Sequence, residues 1–116
     1  MAELELYEVI QTPQAEEHLE GIVRYISLNL QNPDAARHFL DQIDEMEERL
    51  QTYPKKCRFT PEKPWNSTIR RTKVNGYSYY AYLWIDEETH KVFILGYAYT
   101  GMDQIKYLQN LLDKQN

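Results

Sequence analysis

Residues 69–99 read IRRTKVNGYSYYAYLWIDEETHKVFILGYAY, and this stretch decides the fold. Asn75-Gly76 is a strong hairpin signal, because both residues tolerate the positive φ of a tight turn. Asp86-Glu87-Glu88-Thr89-His90 is a second polar break. The breaks divide the stretch into three runs rich in aromatic and β-branched residues: Ile69–Val74, Tyr77–Ile85 and Lys91–Tyr99. Three strands joined by short turns predict an antiparallel meander. On the middle strand Tyr79, Leu83 and Ile85 share one face, and Tyr80, Tyr82 and Trp84 the other. One face must pack on other elements. The second is covered by a last helix or open as a concave aromatic surface.

The elements that cover the sheet lie upstream. Residues 4–11 alternate as a strand. Thr12-Pro13 then reads as an N-cap followed by proline at the first helical position. Ala15, Leu19, Ile22, Val23, Ile26 and Leu30 follow at helical spacing. Asn32-Pro33 repeats the start signal, and Ala36, Phe39, Leu40, Ile43, Met46 and Leu50 form a second stripe that ends near Tyr53-Pro54. Two helices this close form an antiparallel hairpin. Residues 54–66 hold three prolines and no period, so they read as a loop anchored by Phe59 and Trp65. Gly101 ends the last strand, and Ile105, Leu108, Leu111 and Leu112 predict a short final helix. The order β-α-α-β-β-β-α makes an α+β protein, with a helical hairpin packed on a small twisted sheet, antiparallel except at its first strand.

The chain of 116 residues fits a single domain, 1–116. Its net charge of −5 is unevenly spread. Residues 1–54 carry three basic and twelve acidic side chains, a net −9; residues 55–73 carry seven basic and one acidic, a net +6; the remainder nets −2. The acidic total excludes a protein that coats nucleic acid with its whole surface but leaves room for a local basic site. One cysteine, Cys57, excludes an intrachain disulfide and suits a reducing cytoplasm. No apolar run is long enough to span a membrane, and the acidic start does not resemble a signal peptide. His18 and His38 fall on different predicted helices and His90 in a turn, without metal-ligand spacing, so solvated histidines and no metal are expected. No glycine-rich phosphate loop is present, and no cofactor is expected.

The chemistry that remains is on the strands. Arg71 and Lys73 alternate onto one face of the first strand, with Arg70 and Thr72 opposite. Paired cations on a sheet can hold phosphate, or pair with the acidic helices. Tyr80, Tyr82, Tyr97 and Tyr99 belong to a cluster of tyrosines on the next two strands. Such rings stack on single-stranded bases, and equally they build cores and partner surfaces.

These residues resemble the RelE/ParE superfamily of toxins from type II toxin–antitoxin modules. The resemblance rests on YEVIQTP (7–13), on IRR (69–71) with NGYSYY (75–80), and on IDEETHKVFIL (85–95) running into Tyr99 and Asp103. It implies a cytoplasmic toxin neutralised by a cognate antitoxin. The expected function is ribosome-dependent, metal-independent mRNA cleavage, as in one branch of the family; the alternatives are inhibition of DNA gyrase, as in another branch, and a catalytically degenerate, antitoxin-binding member. The first implies Arg71, Lys73 and Tyr99 as catalytic residues, with Arg70, Tyr80, Tyr82 and Tyr97 binding RNA. Family nucleases often place further cations where this chain has Ser78, Gly96 and Met102. Homodimerisation through the helices stays open.

Overall fold

The computed structural model describes residues 5–115. β1 (Glu8–Gln11) leads into α1 (Pro13–Arg24) and α2 (Pro33–Thr52). A two-residue β2 (Arg58–Phe59) precedes β3 (Arg70–Lys73), β4 (Tyr79–Asp86), β5 (Lys91–Tyr99) and α3 (Gln104–Gln115). The five strands form one sheet in the order β1-β5-β4-β3-β2, antiparallel throughout except for the parallel pair β1–β5. The predicted α+β order is therefore present, with β2 added inside the loop. Leu4 of the predicted first strand lies outside the described residues.

Both helix starts follow from their caps. Thr12 accepts a hydrogen bond from the Ala15 N–H and donates its hydroxyl to the Ile94 carbonyl at 2.9 Å, which pins the turn between β1 and α1 to β5. Asn32 caps α2 through the Ala35 N–H. The first apolar stripe was expected to run to Leu30, but α1 gives way to a π-helical turn at Tyr25–Asn29, closed by Leu30 N–H on the Tyr25 carbonyl. A wider turn breaks the i, i+4 alignment of Ile26 and Leu30. Ile26 is buried, while Leu28 and Leu30 face solvent.

Two cores flank the sheet. The hairpin side buries Phe39, Ile43, Met46 and Leu50 of α2 against Ala81, Leu83, Val92 and Ile94. The other side buries Tyr82, Leu95 and Ala98 beneath Leu108 and Leu111 of α3. The alternation of β4 accounts for this split residue by residue. The Asn75-Gly76 turn closes with the Tyr77 N–H on the Val74 carbonyl, with positive φ at Gly76 alone among its central residues. That is a type II pattern, which needs glycine at its third position.

On β5 the alternation slips. Tyr82 pairs with Gly96, but Leu83 pairs with Ile94, so two residues of β5 face one of β4. This β-bulge turns every later side chain to the opposite face from the one strict alternation assigns. No helix among the described residues is long and apolar enough to cross a membrane.

Candidate functional site

The seven candidate residues do not converge. Arg71, Lys73 and Tyr80 share the α3 side of the sheet at its open edge, where Arg71 pairs with Tyr82 and Lys73 with Tyr80. The Arg71 guanidinium sits 4.1 Å from the centroid of the Tyr80 ring, and its Nη1 is 3.3 Å from Glu62 Oε1. Lys73 is exposed. Arg70 faces the other way. It stacks 3.9 Å from the Phe59 ring and donates to the Cys57 carbonyl at 2.8 Å and the Lys55 carbonyl at 3.2 Å, so it ties the 54–59 loop to β3.

The tyrosines divide too. Tyr82 is fully buried, donates to Gln104 Oε1 at 2.6 Å and has its hydroxyl pKa pushed up by burial. Tyr97 is buried on the hairpin side, hydrogen-bonded to Gln11, and its pKa too is raised by burial. Neither offers a ring to a base. Tyr99 is exposed, its ring against Tyr79, which packs on the hairpin core. The β5 bulge thus puts Tyr99 on the opposite side of the sheet from Arg71 and Lys73. The three residues that the resemblance implies as catalytic therefore do not share one face, and of the two alternatives for the second sheet face the helix-covered one is present.

α3 covers the middle of that face. The Tyr107 hydroxyl donates to the Tyr97 carbonyl at 2.6 Å, and His18 Nδ1 accepts the Tyr97 N–H at 3.1 Å. His18, expected to be solvated, is partly buried where α1, β5 and α3 meet. Gly96 lies under this junction: a Cβ there would stand 2.7 Å from the Tyr107 hydroxyl and 2.9 Å from both His18 Nδ1 and a Leu111 methyl. A cation at position 96 would have to displace α3. Removing the hydroxyl in Tyr107→Phe leaves a buried carbonyl short of a donor and is expected to cost about 1–2 kcal/mol in chemical denaturation.

Residues outside the candidate list complete the basic edge. β2 pairs Arg58 with Arg71, and Lys56, Arg58, Arg71 and Lys73 line a groove of about 540 Å³ together with Phe59, Pro61 and Tyr80. Glu62 is the acid beside it, occupied by Arg71 and by the Thr60 hydroxyl, which donates to it. Lys56 and Arg58 were visible in the charge count, but a two-residue strand in a proline-rich loop has no periodicity to reveal its pairing. Among the described residues no group of three His, Cys, Asp or Glu side chains is placed to hold a metal ion.

The family model described as "ParE toxin of type II toxin-antitoxin system, parDE" matches residues 9–96, which span β1 to the β5 bulge. The chain belongs to the ParE toxin family. No curated protein sequence matches it. Solved structures from ParDE and RelBE systems and of RelE share its fold at low identity. A chain of the chromosomal ParDE system from P. aeruginosa superposes with a TM-score of 0.63 at 18% identity, covering 82% of this chain and 97% of that one. A chain of the RelBE2 toxin–antitoxin complex from Mycobacterium tuberculosis gives 0.54 at 15% identity, covering 85% and 97%. An arginine-substituted mutant of E. coli toxin RelE in the free state gives 0.52 at 10% identity, covering 88% and 92%. This ParE-family chain thus carries the superfamily fold, with a basic edge and a helix-covered face.

Proposed function

We propose that this ParE-family toxin acts by binding its target rather than by cutting RNA, that the target is DNA gyrase, and that a cognate antitoxin neutralises it in the cytoplasm. The separation of Tyr99 from Arg71 and Lys73 across the sheet supports this reading. Cleavage by a 2′-hydroxyl needs a cation for the developing phosphate charge and a proton donor or acceptor at the same phosphate. Here the Tyr99 hydroxyl and the cations lie on opposite faces, and the carboxylate beside Arg71 is engaged. For the antitoxin, an apolar cleft of about 360 Å³ between α1 and α2, lined by Leu19, Val23, Leu28 and Leu40, suits one face of an amphipathic helix.

Two assays run on one preparation test the reading. Purified toxin is expected to inhibit supercoiling by gyrase. Added to a translation reaction, it is expected to leave the message intact by primer extension. Mapped cuts that disappear with Arg71→Ala or Tyr99→Phe would establish the nuclease instead. Growth arrest on induction, relieved by the neighbouring gene, tests the antitoxin.

A further inference from the structure

We propose that the groove along β2 and β3 binds the phosphodiester backbone of duplex DNA without reading its sequence. The proposal deepens the gyrase reading and rests on it, since gyrase works on DNA. Four cations line the groove: Lys56, Arg58, Arg71 and Lys73. Arg58 and Arg71 lie opposite each other across the antiparallel pair, and Lys73 follows Arg71 on the same face roughly 6.6 Å along the strand. Such a row suits successive phosphates. Among the described residues, no ion pair engages Lys56, Arg58 or Lys73; of the four cations Arg71 alone is paired, with Glu62.

The rings of the site discriminate between nucleic acids. Single-strand binders gain about 1–3 kcal/mol per base from aromatic platforms. Here the Arg71 guanidinium lies over the Tyr80 ring, that of Arg70 lies over the Phe59 ring, and Tyr82 is buried. Cations remain for a backbone, while bases find these rings occupied. The charge distribution adds an orientation. The acidic helices α1 and α2 pack on the opposite side of the sheet, so a polyanion approaching the groove meets the one basic edge with the acidic hairpin behind it.

The test is fluorescence anisotropy of a short labelled duplex with the full chain. Three phosphate contacts, from Lys56, Arg58 and Lys73, predict a salt slope near −2.7, a roughly forty-fold loss of affinity between about 50 mM and about 200 mM salt. Arg58→Gln and Lys73→Gln, both exposed, should each reduce the slope by about 1, with unchanged melting curves. Lys106→Gln on α3 should bind as the parent does. Absence of duplex binding, insensitivity to both substitutions, tighter binding of single-stranded RNA, or displacement by polyglutamate at lower charge concentration than by unlabelled duplex would each overturn the proposal. The gyrase assay separates the two readings. Duplex binding without gyrase inhibition removes gyrase as the target and leaves the groove standing; gyrase inhibition without duplex binding removes the groove.

Discussion

Replacing Gly96 with Arg is expected to lift α3 from the sheet and to lower the melting temperature by roughly 12 °C or more. A Cβ at this position falls under 3 Å from atoms of three residues, Tyr107, His18 and Leu111, contributed by α3 and α1. Overpacking a filled site costs about 1–3 kcal/mol even for a methyl group. Arginine adds a charge that cannot stay in the seam between β5 and α3 unpaired. The least costly response is for α3 to leave, which exposes Tyr82, Leu95 and Ala98. A loss of about 3 kcal/mol at about 4 °C per kcal/mol gives the stated shift. Amide exchange should rise across α3 before it rises in β4, and Gly96→Ala should show a weaker form of both effects. An unchanged melting curve for Gly96→Arg would mean that α3 is not seated on β5 as described. The substitution also bears on function. A nuclease-type cation at 96 and a helix-covered face exclude each other in this chain, so its glycine and its α3 go together.

How far the sequence foretold this arrangement depends on the element. The β3–β4–β5 meander was readable, because strand alternation and the Asn75-Gly76 turn are local signals that the tertiary contacts reinforce. The helix starts were readable for the same reason: Thr12-Pro13 and Asn32-Pro33 act through bonds within three residues. The candidate site was less readable, and the cause is a single extra residue. Strict alternation from Lys91 assigns Tyr97 and Tyr99 to the side of Phe93 and Leu95. The bulge at Leu95-Gly96 returns them to the hairpin side. Glycine within a strand is a signal of a bulge or a close approach, and at Gly96 both hold. His18 was unreadable from spacing, since its partners lie 79 and 89 residues away.

Phe39→Ala is expected to destabilise the protein by about 3–5 kcal/mol, the range for a large aromatic removed from a core. Against a total of about 6–17 kcal/mol for a chain of this length, that is a substantial share of its stability. Phe39 is fully buried between α2 and the sheet. Its ring stands edge-on to Tyr77 at 5.0 Å and to Tyr79 at 6.0 Å. Neither tyrosine is free to fill the space it would leave. The Tyr77 hydroxyl donates to the Ala35 carbonyl at 2.9 Å and lies 2.9 Å from His38 Nδ1, while Tyr79 is backed by Tyr99. With both walls fixed, the site cannot collapse, which places the cost toward the upper end. The neighbouring Leu40, 41% exposed at the cleft between α1 and α2, makes the contrast. Leu40→Ala should cost under about 1 kcal/mol, because it opens no cavity. Urea titrations of both variants should share one slope and differ in midpoint. Equal midpoints would mean that Phe39 is not the contact joining the hairpin to the sheet. The two positions also separate folding from recognition. Leu40 lines the apolar cleft proposed for the antitoxin, so Leu40→Ala should weaken neutralisation while leaving toxicity intact. Phe39→Ala should reduce toxicity in proportion to the unfolded fraction, and an antitoxin that binds only the folded chain should restore its stability by mass action.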